Sequence, residues 1–419
     1  MNDNVIFHID VNSAFLSWEA CRRLYILGDG LDLRTIPSAV GGSQESRHGI
    51  ILAKSIPAKA YKIQTGESLL SARKKCPGLV VVPPDYSLYV EASKAFIRIL
   101  REFSPCVEQY SIDEAFCDMT GTHRLYGTPV SAAHCLKDRI HRELGFTVNI
   151  GVSTNKLLAK MAGDFKKPDM VHSLFPEEVS SKLWPLNVGD LFFVGRATQK
   201  KLYGLGITTI GELARSDLKM LRYHFKSHGE VIYNFANGID SSQLYDIPSA
   251  NKGYGNSLTL AKDVTSRDIA HMILLSLTET VASRLRTDEA RASCISVSIT
   301  DWNFSRTSHQ RNILSSTNIT AEIHSVACGL FDELWDNTTP IRQLGIQTGR
   351  IRQGPCRQYN LFDMHKYDRL EKLDGAVDEI RRRYGEDSIK RACFAGNRTP
   401  HMSGGLDRAR RTGITKPVS

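Results

Sequence analysis

Apolar positions change their period several times along the chain, and the changes divide it. The first run, Val5-Ile6-Phe7-His8-Ile9, is nearly all apolar and ends at Asp10, which predicts a short buried strand. Two further strand-like runs, Val107–Met119 and Thr147–Val152, alternate with helical stretches through residues 85–172. Residues 13–84 form a smaller, basic insertion that closes on Val80-Val81-Val82-Pro83-Pro84. Residues 173–240 read as all-helical with Gly-rich turns. The stretch 252–353 then runs strand, helix, strand, strand, helix, strand. In it Arg267–Arg286 and Ile319–Trp335 have helical periodicity, and Cys294–Thr300 alternates apolar with polar. A βαββαβ unit of this kind gives a four-stranded sheet backed by two helices. The polar stretch 241–251, with Pro248, suits a mobile linker, and a tail of residues 354–419 follows. Its last part, Asn397–Ser419, has too few apolar residues to order itself. The expectation is an α+β multidomain chain without internal repeats.

At 419 residues the chain exceeds one compact core, in keeping with that division. No apolar run reaches the length of a membrane span and no leader-like segment opens the chain, so a cytoplasmic protein without membrane contact is expected. Nine cysteines are scattered without a C-x-x-C pair or a Cys/His cluster, which fits a reducing compartment and speaks against structural zinc. A formal charge of +9 points to a polyanionic partner, although many basic proteins bind no nucleic acid.

The chemistry-bearing signal is acidic. Asp10 ends the first strand, and Asp113 and Glu114 interrupt the second in Tyr110-Ser111-Ile112-Asp113-Glu114-Ala115. Neighbouring strand residues point to opposite faces, so Asp113 and Glu114 meet at one site only if the strand twists or they lie at a hairpin edge. Buried carboxylates repel unless positive charge separates them, and two Mg²⁺ ions about 4 Å apart would both separate them and serve phosphoryl transfer. The plainer alternative is a strand cap at Asp10 and salt bridges at Asp113 and Glu114.

Asp10-x-Asn12-Ser13-Ala14-Phe15, with Ser111-Ile112-Asp113-Glu114, resembles the Y-family DNA polymerases of the DinB/UmuC type. The resemblance continues through Asn149-Ile150-Gly151-Val152-Ser153-Thr154-Asn155-Lys156-Leu157-Leu158-Ala159-Lys160 to Lys167-Pro168, and covers roughly residues 5–395 in the family's order of domains. It implies a right-hand polymerase: palm (1–12 and 85–172), fingers (13–84), helical thumb (173–240) and little finger (252–353). It implies Asp10, Asp113 and Glu114 as catalytic carboxylates, and two Mg²⁺ ions held by Asp10, Val11, Asp113 and Glu114. The incoming dNTP would meet Ala14, Lys59 and Lys167, with Phe15 as an aromatic gate against a ribose 2′-hydroxyl. The commonest family pattern has Tyr and Arg where this chain has Ile56 and Lys59, so a point charge replaces a bidentate fork. Ser153 reads as the N-cap of a helix on which Lys156 and Lys160, four apart, share a face of the kind usually solvated.

Further along, Phe193-Val194-Gly195-Arg196-Ala197 and Leu202-Tyr203-Gly204-Leu205-Gly206 resemble the thumb's helix-hairpin-helix element, which implies backbone contacts from Gly195, Arg196, Gly204 and Gly206 to DNA phosphates. In the little finger, Lys252, Lys262, Arg306, His309 and Arg311 are the candidate phosphate contacts. Gln358-Tyr359-Asn360-Leu361-Phe362 looks like a peptide for the bacterial β sliding clamp, anchored by Gln358, Leu361 and Phe362. The basic cluster Arg381-Arg382-Arg383 either touches DNA or stays solvated. The function implied is low-fidelity translesion synthesis in DNA repair by a monomer at the nucleoid, on primer–template DNA, without proofreading. Two rivals differ in class: a nucleotidyl cyclase, which needs neither thumb nor clamp peptide, and a non-catalytic DNA-binding subunit that keeps the fold.

Overall fold

The computed structural model describes residues 4–42, 49–245, 250–354, 364–395 and 400–402, and the chain divides near residue 249 into two compact units. The clamp-like residues Gln358, Leu361 and Phe362 lie outside the described residues.

The first unit opens with strand β1 (Ile6–Val11) and, after a left-handed turn at Ser13, helix α1 (Ala14–Cys21). A small sheet follows: β2 (Ser38–Gly41), β3 (Ile51–Lys54), the short helices α2 (Ile56–Ala60) and α3 (Leu69–Lys75), and β4 (Val80–Val82). Its order is β3-β2-β4, around the apolar residues Ala39, Ile51, Ala58, Ile63 and Leu69. Next come α4 (Tyr86–Phe103), β5 (Cys106–Gln109), β6 (Glu114–Asp118), α5 (His123–Tyr126), α6 (Pro129–Leu144), β7 (Val148–Ser153), α7 (Lys156–Asp164) and β8 (Val171–Ser173). These strands make a five-stranded sheet ordered β5-β6-β1-β7-β8. β1 is central and antiparallel to both neighbours, and its run is apolar because both faces are covered, Phe7 and Ile9 by the main core and Ile6 by Phe116 and Ala159.

Two sequence expectations change here. Val107–Met119 is not one strand but the hairpin β5–β6, broken at residues 110–113, where Ser111 turns the chain back through hydrogen bonds to the N–H groups of Asp113 and Glu114. The N-cap of α7 is Asn155, whose side chain accepts from the Leu158 N–H at 2.8 Å, while Ser153 completes β7. Helix α7 lies so close to the sheet that a Cβ on Gly151 would fall 1.8 Å from the Ala159 carbonyl oxygen. Glycine is therefore required there, and the close approach brings Lys160 of α7 up to His8 of β1.

The rest of the first unit is helical as expected, with α8 (Arg196–Gly204), α9 (Ile210–Ala214), α10 (Leu218–Phe225) and α11 (Ser227–Ala236). Thr209 and Glu212 form a reciprocal capping box at the start of α9.

The second unit contains β9 (Gly253–Val264), α12 (Arg267–Thr287), β10 (Ala290–Asp301), β11 (Arg306–Thr317), α13 (Thr320–Leu334) and β12 (Ile341–Gln353). The sheet is antiparallel throughout, ordered β11-β10-β12-β9, with Ile295, Val297 and Ile299 packed beneath the two helices. This is the βαββαβ unit read from the sequence. The tail adds a helix not foreseen there, α14 (Met364–Tyr384). It is fastened by ion pairs: Arg286 to Asp374 (3.1 Å) and Asp378 (2.5 Å), Arg291 to Glu371 (2.5 Å), and Arg381 to Glu279 (2.6 Å). Arg381 is 5% exposed, so this member of the basic cluster is a buried partner of Glu279 and not a solvated charge. Among the described residues no helix is long and apolar enough to cross a membrane.

Candidate functional site

A cleft of about 600 Å³ in the first unit gathers the candidate metal and nucleotide residues except Glu114. Its walls include Asp10, Val11, Ala14, Phe15 and Asp113 on one side, with Lys54, Ser55, Ile56, Lys59 and Thr65 from the β2–β4 sheet and its helices. Lys167 and Pro168 also line it. A larger cleft of about 990 Å³, past Thr120, His123 and Asn155, holds none of these carboxylates.

Asp10 sits at the end of β1 and is paired in register with Glu114 on β6. Asp113 lies just before β6 in the hairpin turn, and its carbonyl accepts from the Val11 N–H at 3.0 Å. The hairpin thus solves the problem of adjacent positions: Asp113 lines the cleft, whereas Glu114 begins the strand and turns elsewhere. Glu114 accepts from Lys160 at 2.6 Å and lies 3.4 Å from His8 Nε2. Lys160 is 9% exposed and stands over the rings of Tyr110 and Phe192, so the expectation of a solvated lysine face does not hold. Lys156 is likewise engaged, at 2.7 Å from Glu108.

The three carboxylates carry different electrostatic loads. Burial pushes Asp10 above the ordinary carboxylate range, although its ion pair with Lys167 pulls the other way. Burial also raises Asp113, which the Ser111 hydroxyl opposes by donating at 2.6 Å and the Glu114 charge reinforces. Burial would raise Glu114 too, but the hydrogen bond with His8 and the Lys160 ammonium prevail and hold it at about 2. Burial keeps the His8 imidazole low. Among the described residues no group of three His, Cys, Asp or Glu side chains converges as a metal site, and Glu114 is turned to Lys160. The remaining donors, the Asp10 and Asp113 carboxylates and nearby backbone carbonyls, are hard oxygens of the kind that suits Mg²⁺. Two half-compensated carboxylates at one cleft are where a divalent cation fits.

Phe15 lies at the start of α1, stacked on Tyr89 with ring centroids 4.3 Å apart and planes at 8°. Tyr89 is itself fixed by a 2.9 Å hydrogen bond to Glu19. Lys59 follows Pro57 on α2 and is exposed. Lys54, not singled out in the sequence, stands on β3 beside it, and its ammonium is pulled below the ordinary lysine range by partial burial and the Lys59 charge. A lysine at the end of a strand gives no local signal; its significance comes from sharing a cleft wall with Lys59.

Elsewhere the candidates separate. Gly195 caps α8, Arg196 begins it, Gly204 ends it, and Gly206 has a positive φ of 78° in the turn that follows. In the second unit Arg306 is in register with Thr300, in line with Ser308 and Gln310 on the face away from the helices. Arg311 is in register with the buried Ile295 and pairs with Glu333 of α13, and His309 lies 3.3 Å from the same carboxylate. The open face is thus mostly uncharged: Ser257, Gly345, Ser298 and Ser308 form one cross-strand row.

Comparison with known proteins agrees with this geometry. Residues 9–164 match the impB/mucB/samB family, residues 251–361 its C-terminal domain, and residues 176–207 the helix-hairpin-helix motif of the same family. A DNA polymerase IV of Clostridium acetobutylicum is 45% identical over 390 residues, 93% of this chain and 98% of the relative. One from Acetivibrio thermocellus is 37% identical, over 94% and 98% of the two chains. The fold matches that of a Y-family DNA polymerase chimera of Dbh and Dpo4 with a TM-score of 0.71 at 20% identity, over 84% of this chain and 100% of that one. The matched family models and relatives covered over nearly their whole length agree: the chain belongs to the impB/mucB/samB family, the Y-family DNA polymerases.

Proposed function

We propose that the chain extends primers on template DNA by two-metal phosphoryl transfer, with the low fidelity and lesion tolerance of translesion synthesis. The observation that carries this reading is the single cleft that sets Asp10 and Asp113 with Lys54, Lys59 and Lys167 around Phe15. Asp10, Val11 through its carbonyl, Asp113 and Glu114 would hold two Mg²⁺ ions, with Glu114 exchanging its Lys160 contact to do so. Bound there, the ions would lower the pKa of the primer hydroxyl and neutralise the departing pyrophosphate. The chain's own part is to place and screen. Lys59 and Lys167 offer point charges to the triphosphate, Ala14 leaves room beside the sugar, and Phe15, braced on Tyr89, obstructs a 2′-hydroxyl.

DNA would be held through its phosphates by Gly195, Arg196, Gly204 and Gly206 in the helical region and by Arg306 on the open face of the second sheet. Arg311, already paired with Glu333, contributes only if it exchanges that partner. The clamp-like segment of residues 358–362 would tether a monomeric polymerase to a β sliding clamp at the nucleoid.

The test is extension of a labelled primer–template with Mg²⁺ and dNTPs by the wild type and by Asp113→Ala. Extension by the first alone supports the reading. No extension by either, with salt-sensitive DNA binding retained, would favour a non-catalytic DNA-binding subunit.

A further inference from the structure

Lys167 does not reach the cleft from a regular element; it stands in the loop between α7 and β8, and something must hold that loop. Asn149, on β7, is fully buried and uses every amide atom. Its Nδ2 donates to the carbonyls of Gly163 (3.0 Å) and Lys166 (2.7 Å), and its Oδ1 accepts from the Met170 N–H (3.4 Å). The same Oδ1 accepts from Asn12 Nδ2 at 3.0 Å. Asn12 in turn accepts, at its Oδ1, from the Thr147 hydroxyl (3.0 Å) and the Asp169 N–H (2.9 Å). The two side chains therefore grip the backbone immediately before Lys167, at the Lys166 carbonyl, and immediately after Pro168, at the Asp169 N–H.

Residue type is decisive at both positions. Asn12 must accept two hydrogen bonds and donate one, which a carboxylate does not do. Asn149 must donate twice and accept twice; turning its amide over would set two N–H donors against the Asn12 amide and the Met170 N–H. A buried carboxylate at either place would also add negative charge close to Asp10.

We infer that the Asn12–Asn149 amide pair is a positioning device for substrate binding: it fixes the loop of residues 165–170 so that the Lys167 ammonium is presented at the cleft. This rests on the reading of Lys167 as a triphosphate contact. Asn149 does not line the cleft, whereas Asn12 does, so Asn149 is the cleaner probe of positioning.

The test is single-nucleotide incorporation by Asn12→Ala and Asn149→Leu, each made in the wild type and in Lys167→Ala, together with hydrogen exchange of the loop. In the wild-type background each change should raise KM for dNTP about tenfold, far more than it lowers kcat. In Lys167→Ala, which itself raises KM, the further rise should vanish, because the latch acts through the missing ammonium. Backbone amides of residues 165–170 should exchange about tenfold faster, while those of β1 and β7 stay protected. A KM effect that persists undiminished in Lys167→Ala would overturn the inference, as would unchanged exchange in the loop or loss of protection across the whole sheet. If Lys167→Ala leaves KM unchanged, the triphosphate reading of Lys167 fails; loop exchange then decides the latch, unchanged exchange overturning it. Should the buried Asn149→Leu chain fail to fold, the half-buried Asn12→Ala carries the same comparison.

Discussion

The palm-like sheet and the tail helix both bury charge, and they do so to opposite effect. On the sheet, Asp10 and Asp113 are pushed above the ordinary carboxylate range because burial outweighs the partners they have. Under the tail helix, Glu279 is 3% exposed yet held below that range, since Arg381 (2.6 Å) and Arg391 (2.5 Å) more than offset its burial. One arrangement leaves negative charge under-compensated at an open cleft; the other completes the compensation and closes it in. Unfinished negative charge is available to a cation, whereas finished charge can only hold parts of a fold together. The same chemistry, carboxylate against Lys or Arg, thus separates into a working site and a fastening.

The largest effect should come from breaking the unfinished site. Asp113→Asn should cut primer extension by at least about a hundredfold, as loss of a preorganised charge at a reacting centre does. Stability should move the other way. Because burial raises Asp113, the folded chain binds its proton more tightly than the unfolded chain, and the ionised group works against folding at neutral pH. The neutral amide should therefore keep Tm level or lift it by about 2 °C at pH 7 in a metal-free buffer. A marked fall in Tm would show instead that Asp113 is a fastening like Glu279.

Next in size is the opposite experiment. Glu279→Gln leaves Arg381 buried without its anion and should cost about 3 kcal/mol in urea unfolding at pH 7, with the loss confined to the second unit. Pairing lowers the Glu279 pKa, so its stabilisation is fully present above the ordinary value of 4.5 and disappears as pH falls through the lower folded-state value. The gap between wild type and variant should close in that acid range. A gap independent of pH would mean that the side chain acts through packing alone.

The contrast also explains what could be read from the sequence. That Asp10, Asp113 and Phe15 share one cleft, and the βαββαβ order, were legible because short motifs and element periodicity fix them locally. The direction of Glu114 was not, since it depends on where the β5–β6 hairpin breaks. Lys160 appeared as half of a solvated pair, because helical spacing shows that two lysines share a face but not that Gly151 draws this face onto the sheet. The role of Arg381 was hidden for the same reason: its partner Glu279 lies 102 residues away. Asn149 stood inside a recognised motif without a task, which only the loop across from it supplies.

The smallest effect, and the finest test of the comparison, concerns Lys59. It is exposed on α2 and would meet a triphosphate as a screened point charge, unlike the forked and buried Arg381. Lys59→Ala should therefore raise KM for dNTP only about threefold at low salt. That difference should shrink as NaCl rises from about 0.05 to 0.5 M, over which the screening length falls several-fold. The stability gap between wild type and Glu279→Gln should stay constant over the same range, because buried pairs are little screened. Lys59→Arg replaces a point charge with a planar fork of donors beside Lys54, and it should lower KM if the guanidinium can lie flat against a phosphate. A KM raised by arginine as much as by alanine would show that the cleft is shaped around the slender ammonium, so that steric fit and not charge sets the contribution of residue 59.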